Sequence, residues 1–325
     1  MSNQLLMKRR TTSISRGPRP DYFRITPIEG PCTITPMFVT AWDLFGGLLS
    51  ENMFYTSYDG GDIPAQTINN LIKQHFQYNI QYAINSGSFH DVELYQDINL
   101  NSGDYVEFRR NPEAGVSTTL CIDAFHLENY IPEHYYFLSA GLITFRPDVP
   151  YVVNGNIMSL LDGNCQSRTI SDFAFSSLFY YDTNLVSFNE TISIDYIINK
   201  PIIIDSLPRE GNEFNEMFYG CSSLVHAPVV NSPYSVYTFD GMFYDCSLVE
   251  RYDFAAICES GEVFFNNASA KSLVVRAAIP PAIGDSTITG LAADCVIYVP
   301  AASVDAYKAK QYWSARAAYI QAIPG

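Results

Sequence analysis

A chain of 325 residues is long enough for two domains, each with a core of its own. Hydrophobic residues make up 47% of it, but no apolar run is long enough to cross a bilayer, so we expect no membrane insertion. The formal net charge of −15 opposes the phosphate backbone of nucleic acids, so we expect no nucleic-acid partner.

Residues 1–20 are predicted to form an extended basic arm, because they lack hydrophobic periodicity and end in Gly-Pro-Arg-Pro. Their basic residues are Lys8, Arg9, Arg10, Arg16 and Arg19. A basic arm on an acidic body indicates a docking tail, and a solvated terminus without a partner is the competing interpretation. Only three consecutive apolar residues precede the first charges, too few for a signal-peptide core, so we expect no export by the usual route.

Residues 21–150 are predicted to form a β-sandwich-like domain with a helical insertion. Short segments rich in β-branched and aromatic residues alternate here with turn signals, as is typical of antiparallel β-proteins. These segments are 22–28, 32–35, 52–58, 92–95, 105–108, 118–122 and 142–145, with a turn-rich stretch at 99–103. In the stretch 62–80, apolar residues recur instead at helical spacing. Asp62 is expected to cap this helix and Pro64 to lie near its first turn.

The second part, residues 151–325, begins after two prolines near residue 150 that disfavour continued strand pairing. It contains one unit written twice. The copy that begins at Phe214 reads Phe-x-x-Met-Phe-Tyr-Gly-Cys-Ser-Ser-Leu-Val, and the copy that begins at Phe239 reads Phe-x-x-Met-Phe-Tyr-Asp-Cys-Ser-Leu-Val. A fainter copy without the cysteine begins at Phe175. A period of roughly 20–29 residues is typical of leucine-rich repeat solenoids, whose units stack to bury a shared core.

The positions that the two clear copies share are the predicted repeat core. They are Phe214, Met217, Phe218, Cys221, Leu224, Phe239, Met242, Phe243, Cys246 and Leu248. The two cysteines have the same phase, so we expect them to be small apolar residues stacked inside the repeat, and a disulfide between coils is the alternative. The seven cysteines lack Cys-x-x-Cys spacing and give neither a disulfide framework nor a zinc site.

A helix is predicted after two late strands, 273–275 and 296–299. Pro300 opens this helix, and its body is expected at 303–310. A stacked array exposes an apolar face at its last unit, and we expect the helix to cover that face. The side chains assigned to this cap are Tyr307, Trp313 and Ile320.

These phrases carry a family resemblance. Met-Phe-Tyr-Gly-Cys-Ser-Ser-Leu resembles the repeat of BspA-like leucine-rich repeat proteins, which are common in gut Bacteroidales and their phages. The segment 297–308 with the following Trp313 resembles the closing motif of such arrays, and the segment 155–161 resembles the stretch that precedes them. The resemblance implies a mainly β fold, in which a β-sandwich-like domain is followed by a short BspA-like leucine-rich repeat solenoid with a C-terminal capping helix.

Motifs for catalysis do not stand out. The sequence has no Gly-x-Ser-x-Gly elbow, no phosphate-binding glycine loop and no His-Glu-x-x-His pair. We therefore predict a non-enzymatic protein with no catalytic residues, no cofactor and no metal site. A carbohydrate-active enzyme stays open as a further alternative, because 34 acidic residues can include a catalytic pair that no motif singles out.

Two function classes are favoured over the carbohydrate-active enzyme. In the first, the protein is a phage virion component, either a head fibre, a capsid decoration or a tail component. Its arm contacts other virion proteins, such as capsid or tail subunits, and its repeat domain contacts a host-surface protein or glycan. In the second, it is a bacterial cell-surface adhesin of the BspA-like type. The expected lack of a signal peptide favours assembly in the host cytoplasm and a location in the virion. We expect a homo-oligomer, with a trimer as the favoured symmetry.

Aromatic residues make up 14% of the chain, and tyrosine is the most frequent of them. Tyrosine offers a large, rigid contact area with a polar tip, which suits recognition of proteins and sugars. Clustered tyrosines outside the repeat core are therefore candidates for an interface. They are Tyr130, Tyr135, Tyr136, Tyr180 and Tyr181.

Overall fold

The fold is described from a computed structural model. The residues that it describes are 21–40, 54–56, 62–64, 79–117, 120–122, 141–166, 169–171, 174–175, 178–189, 191–193, 196–198, 214, 216–231, 241–254, 265–267, 269–284 and 287–325.

These residues form a mainly β protein, as predicted. The strands of the first part are β1 Phe23–Pro27, β2 Cys32–Ile34, β3 Met37–Thr40, β4 Phe54–Thr56, β5 Asp62–Pro64, β6 Ile80–Ile84, β7 His90–Asp91, β8 Ile98–Leu100, β9 Val106–Arg110, β10 Cys121–Ile122 and β11 Gly141–Thr144. The later strands are β12 Tyr151–Asn154, β13 Thr169–Ser171, β14 Leu185–Phe188, β15 Thr191–Ser193, β16 Tyr196–Ile198, β17 Val229–Asn231, β18 Arg251–Phe254, β19 Asn266–Asn267, β20 Ser272–Val275, β21 Gly290–Leu291, β22 Val296–Val299 and β23 Ile320–Ala322. Among the described residues, the α-helix is α1 Val304–Ala309, and the 3-10 helices are Pro112–Ala114, Ile157–Leu160, Ala301–Ser303 and Trp313–Tyr319.

A six-stranded sheet with the order β14-β12-β1-β9-β6-β7 forms the N-terminal part of the fold. Strand β1 pairs antiparallel with both β12 and β9, whereas β12 pairs in parallel with β14. Phe23 and Ile25 on β1 are buried, while Arg24 and Thr26 between and after them are partly exposed. This alternation is that of a strand with one face on a hydrophobic core.

The boundary predicted near residue 150 does not interrupt this sheet. Strand β12 starts at Tyr151 and pairs with β1 from Asn154 opposite Arg24 to Tyr151 opposite Pro27. The carbonyl of Pro150 accepts a hydrogen bond from the N–H of Ile28 at 2.8 Å. Strands β12 and β14, from the predicted second part, therefore belong to the sheet of the first part.

The helix predicted over residues 62–80 is wrong at both ends of that stretch. Asp62–Pro64 form β5, which pairs antiparallel with β4, so Asp62 and Pro64 do not begin a helix. Ile80 is the first residue of β6. Residues 65–78 lie outside the described residues. Cross-strand pairing of Tyr55 with Ile63 explains the error at the first end, because tertiary contacts override local capping signals.

Most of the predicted strands are confirmed, but two assignments near residue 95 are wrong. The segment 92–95 has no strand, and Tyr95 lies in a turn with a φ of 63°. Asn99, placed in a turn-rich stretch, belongs to β8 and lies opposite Thr33 of β2. In so short a segment, the alternation of apolar and polar residues does not distinguish a strand from a turn that buries one side chain. Here the buried side chain is Leu94.

A second six-stranded sheet, with the order β15-β17-β18-β20-β22-β23, contains only parallel pairs. Its register aligns Tyr252, Leu273, Ile297 and Ile320 in one row, and all four are buried. The strands predicted at 273–275 and 296–299 are confirmed as β20 and β22. Parallel strands need crossover connections, so the chain must return to the same end of the sheet before each new strand begins.

One hydrophobic core joins the first sheet to the repeat region. The ring of Phe23 on β1 lies 6.2 Å from that of Phe108, 6.4 Å from that of Phe145 and 6.4 Å from that of Phe179. Phe179 belongs to the fainter repeat copy, whereas the other three belong to the predicted N-terminal domain. The two predicted domains therefore share buried side chains.

The C-terminal segment packs against the parallel sheet. Tyr307 on α1 and Trp313 are fully buried, with their rings edge to face at 5.0 Å. The Tyr307 hydroxyl donates a hydrogen bond to the carbonyl of Ala277 at 2.9 Å, and the Trp313 indole donates to that of Pro281 at 2.9 Å. The predicted helix is confirmed, and both aromatic side chains find the polar partner that burial requires.

Candidate binding surface

The three repeat copies stack with matched backbones. Two pairs of equivalent hydrogen bonds join successive copies, each from an N–H to a carbonyl of the next copy. They are Phe179 to Met217 at 2.9 Å, Phe218 to Met242 at 3.0 Å, Tyr181 to Tyr219 at 2.6 Å and Gly220 to Tyr244 at 2.8 Å. We call these copies coil 1, coil 2 and coil 3, and they begin at Phe175, Phe214 and Phe239. The hydrogen bonds fix which positions are equivalent.

A phenylalanine stack lies inside the coils. The rings of Phe179 and Phe218 are 5.4 Å apart at 5°, and those of Phe218 and Phe243 are 5.2 Å apart at 3°. All three are buried, as predicted for Phe218 and Phe243. Each ring covers the apolar face of the next, which a single coil cannot bury.

A tyrosine stack runs beside the phenylalanines and reaches the surface. The rings of Tyr180 and Tyr219 are 4.9 Å apart at 13°, and those of Tyr219 and Tyr244 are 4.7 Å apart at 12°. Tyr180 is buried, while Tyr219 and Tyr244 are partly exposed. Burial raises the pKa of the hydroxyls of Tyr180 and Tyr219, so both stay protonated hydrogen-bond donors at neutral pH.

Exposed side chains surround the outer end of this stack. Tyr181 is 48% exposed, and its ring rests on the backbone of Gly220. Glu216 lies against coil 3, since a Cβ added at Gly241 would be 3.2 Å from its Cγ. Asp245 is exposed at the coil 3 position that matches Gly220. We call this surface the tyrosine edge; its residues are Tyr181, Glu216, Tyr219, Tyr244 and Asp245.

The backbone of the tyrosine edge is left-handed at equivalent positions of all three coils. The φ angles of Tyr181, Gly220 and Asp245 are 53°, 71° and 56°. Glu216 and Gly241 form a second equivalent pair, at 53° and 57°. Left-handed backbone favours glycine, and a bulky residue such as Tyr181 is rarely found there. Tyr181, Glu216 and Asp245 therefore occupy backbone positions at which glycine would be the favoured residue.

The cysteines of coils 2 and 3 are buried free thiols, not a disulfide between coils. The Sγ of Cys221 donates a hydrogen bond to the carbonyl of Phe179 at 2.9 Å, and that of Cys246 to the carbonyl of Phe218 at 3.0 Å. Burial raises the pKa of both thiols far above its ordinary value, so neither forms a nucleophilic thiolate at neutral pH. Their role in the fold is packing and a repeated thiol-to-carbonyl contact.

Asp182 occupies the cysteine position in coil 1. Its carboxylate accepts a hydrogen bond from the Tyr151 hydroxyl at 2.6 Å and another from the Asn184 N–H at 3.0 Å. Arg146 lies 3.9 Å away and donates to the carbonyl of Tyr180 at 2.7 Å. Burial raises the pKa of Asp182, although Arg146 and Tyr151 act in the opposite direction. This network joins β12 of the first sheet to coil 1.

One predicted core residue is wrong. Leu248 is 50% exposed, whereas Val249 is fully buried. The second copy is one residue shorter after its cysteine, and the buried apolar position lies three residues after the cysteine in both coils. That count gives Leu224 in coil 2 and Val249 in coil 3. The remaining described core residues are buried: Phe214, Met217, Phe218, Cys221, Leu224, Met242, Phe243 and Cys246.

Several predicted site residues lie outside the described residues. They are Phe239, the residues of the predicted arm Lys8, Arg9, Arg10, Arg16 and Arg19, and the interface candidates Tyr130, Tyr135 and Tyr136. Of the other two candidates, Tyr181 is exposed and Tyr180 is buried. The sequence analysis missed Tyr219 and Tyr244, although both directly follow a core phenylalanine. The available signal was that tyrosine recurs at the same phase in all three copies, as Tyr180, Tyr219 and Tyr244.

Among the residues that the structure describes, no group of three or more His, Cys, Asp or Glu side chains is placed to hold a metal ion. Within the same ranges, no helix has the length and apolarity needed to cross a membrane. Comparison of the sequence with protein-family models gives no match, and comparison with curated proteins gives none either.

Proposed function

We propose that the protein is a non-enzymatic structural component of a phage virion that displays its C-terminal part for adhesion to a host-surface protein or glycan. Its place is that of a head fibre, a capsid decoration or a tail component. The basic arm, residues 1–20, anchors it to capsid or tail subunits, and the protein acts as a homo-oligomer, with a trimer as the favoured symmetry. Residues 151–325 form a short BspA-like leucine-rich repeat solenoid in this proposal.

The solenoid assignment is supported by the repetition of contacts from coil to coil. The phenylalanine stack, the tyrosine stack and the thiol-to-carbonyl contacts recur at the same backbone positions. The parallel pairing from β15 to β23 is the sheet expected when each coil contributes one strand.

The observation that best supports adhesion is the tyrosine edge. Tyr181 and Asp245 are exposed, Glu216 is partly exposed, and all three sit on left-handed backbone. Holding a non-glycine residue there costs about 1–3 kcal/mol, and such strain concentrates at binding sites. The edge rests on a rigid stack of rings, so a ligand would not have to order it. Exposed tyrosine beside carboxylates offers aromatic contact and hydrogen bonding together.

The test is adsorption of the full chain carrying Tyr181→Gly to host cells. Glycine tolerates the left-handed backbone at this position and removes the whole side chain, including the ring. We expect adsorption to fall about tenfold or more, as for an interface hot spot. The matched control is Tyr312→Gly, since Tyr312 is 40% exposed and also has a positive φ of 65°, but lies on the C-terminal segment. Equal adsorption of both variants and the wild type would remove the tyrosine edge as the adhesive surface.

A further inference from the structure

The face of the parallel sheet that points away from the core carries a cluster of charges. Tyr252 and Phe254 on β18 pack into the core, so Arg251 and Asp253 face the other way. Arg276, which follows β20 directly, has the same orientation because it comes one residue after the core residue Val275. Its backbone N–H donates to the carbonyl of Phe254 at 2.9 Å, which places the two strands side by side.

Both arginines bind the same carboxylate. Arg276 donates from Nε at 2.8 Å and from Nη2 at 2.6 Å to the two oxygens of Asp253, which is 7% exposed. Arg251 approaches the second oxygen at 3.3 Å through Nη2. One carboxylate balances one guanidinium, so the cluster has one positive charge in excess. The nearby pair of Lys271 and Glu250 is balanced.

The arginines keep donors for another partner. The Nε and Nη1 groups of Arg251 and the Nη1 group of Arg276 donate to no residue that the structure describes. The arginine side chains are 57% and 51% exposed. Because Asp253 holds Arg276 through its Nε and Nη2 edge, the Nη1 edge faces away from the protein carboxylate. Each of these remaining N–H groups can donate a charge-assisted hydrogen bond to an oxygen of a carboxylate or sulfate group.

The neighbouring strands add sugar-compatible groups. Ser272 lies opposite Arg251, and Tyr298 lies two strands from Asp253 in the same register row, beyond Val274. Ser272 and Tyr298 are partly exposed. A hydroxyl opposite Arg251 and an aromatic ring farther along the same face suit a sugar ring that bears an anionic group. The excess of one charge, on a chain of net charge −15, does not suit nucleic acid, which requires many phosphate contacts.

We propose that Arg251 and Arg276, held in place by Asp253, bind an oxyanion of an acidic polysaccharide whose charges are separated by neutral sugars. Ser272 and Tyr298 contact the sugar ring. This inference rests on the adhesion proposed above and names a ligand class at a second surface of the same domain. Carboxylate and sulfate share the chemistry that the cluster recognises, so both sources are tested.

The experiment measures binding of three octasaccharides to the immobilised full chain. Hyaluronan carries only carboxylates, keratan sulfate carries only sulfates, and carboxyl-reduced hyaluronan is the neutral control. We expect at least one of the charged probes to bind about tenfold more tightly than the neutral one, since one charge-assisted contact contributes that much. Equal binding of all three, or binding of none, overturns the proposal.

Two charge-matched variants locate the site. Arg251→Gln removes the excess charge and leaves Asp253 paired with Arg276, so the fold should keep its melting temperature. We expect the charged probe to bind this variant about tenfold more weakly. Lys308→Gln makes the same charge change on exposed α1 and should bind like the wild type. Identical binding by the two variants overturns the assignment.

The outcome is separable from that of the adhesion test. If Arg251→Gln binds the octasaccharides normally while Tyr181→Gly loses cell adsorption, the oxyanion site is wrong and the adhesive function stands. If Arg251→Gln loses octasaccharide binding while Tyr181→Gly adsorbs normally, the oxyanion site stands and the tyrosine edge is wrong.

Discussion

Gly220 lies at a left-handed backbone position directly under the ring of Tyr181. A Cβ built there would be 2.4 Å from Cδ1 of that ring, and the φ angle is 71°. We expect Gly220→Ala to lower the free energy of unfolding by about 2–4 kcal/mol, since it combines left-handed strain with a steric overlap. Urea unfolding of the full chain measures this.

The equivalent position in coil 3 provides the converse substitution. Asp245 has a φ of 56° and is exposed, so Asp245→Gly relieves strain without leaving a cavity. We expect a change of less than about 1 kcal/mol, in the stabilising direction, because the greater freedom of glycine in the unfolded chain offsets part of the relief. A neutral Gly220→Ala together with a destabilising Asp245→Gly would contradict the equivalence of the two positions.

The thiols of coils 2 and 3 should resist alkylation in the folded protein. Cys221 and Cys246 are buried and have strongly raised pKa values, so the reactive thiolate is scarce at pH values near 8. We expect iodoacetamide to leave both unmodified in native protein and to modify both in urea, as measured by peptide mass spectrometry. Modification of Cys221 at the same rate in both states would show that the coil is open in solution.

At the scale of elements, Asp182 makes the contact between β12 and coil 1 sensitive to pH. Its folded pKa is raised by burial, so its contribution to stability is fully present below the unfolded pKa and is lost as pH rises through the folded pKa. We expect the stability of the wild type relative to Asp182→Asn to fall as pH rises above about 4, the ordinary pKa of aspartate. Thermal melts of the two proteins as a function of pH measure the difference.

The direction in which this relative stability changes with pH tests whether burial or the ion pair dominates at Asp182. The amide of Asp182→Asn still accepts a hydrogen bond from the Tyr151 hydroxyl, but it no longer titrates. A relative stability that rises with pH would mean that the Arg146 ion pair outweighs burial. Tyr151→Phe is the companion variant, because it removes the hydrogen bond from Tyr151 to Asp182 and keeps the titratable carboxyl group of Asp182.

Sequence reasoning succeeded where one residue type recurs at one phase. Phe218 and Phe243 were predicted to be buried because the same phrase surrounds both, and the structure stacks their rings. The prediction failed at Leu248, which was matched to Leu224 because both are leucine. The distance from the cysteine instead makes Val249 the equivalent of Leu224. The stretch 62–80 failed at both described ends because strand pairing outweighs local helical spacing.

Non-local pairing was also beyond the sequence. Nothing in the residues around Tyr151 indicates that they pair with β1, more than a hundred positions earlier.

The candidate surfaces could be predicted only in part from the sequence. Tyr181 was named as an interface candidate, but Glu216 and Asp245 join the tyrosine edge only when the coils stack. The contact of Arg251 and Arg276 with Asp253 depends on the alignment of β18 with β20.

At the scale of the whole molecule, the proposed anchor can be removed separately from the body. Strand β1 begins at Phe23, so deletion of residues 1–20 leaves all the described strands in the chain. We expect the shortened chain to keep its melting temperature but to fail to enter virus particles, as measured by immunoblotting of purified particles. A full-length control with the five arm cations changed to Gln tests whether charge is responsible. Incorporation of the deletion variant at the wild-type level would exclude the arm as the anchor.

The shared core predicts that the first part does not fold without the second. A fragment that ends at residue 150 lacks β12 and β14, so one edge of β1 is unpaired and Phe23 loses its contact with Phe179. We expect this fragment to show no cooperative thermal transition, because an exposed hydrophobic edge favours aggregation.

A fragment that ends at residue 189 retains both strands and should recover part of the sheet. It still exposes Phe179 and Phe188, whose rings pack against Phe218 of coil 2, so its melting temperature should lie below that of the full chain. Circular dichroism melts of the two fragments and the full chain compare these states. A sharp transition for the 150-residue fragment at the melting temperature of the full chain would instead restore the predicted boundary. In that case β12 and β14 would dock on a sheet that is stable without them.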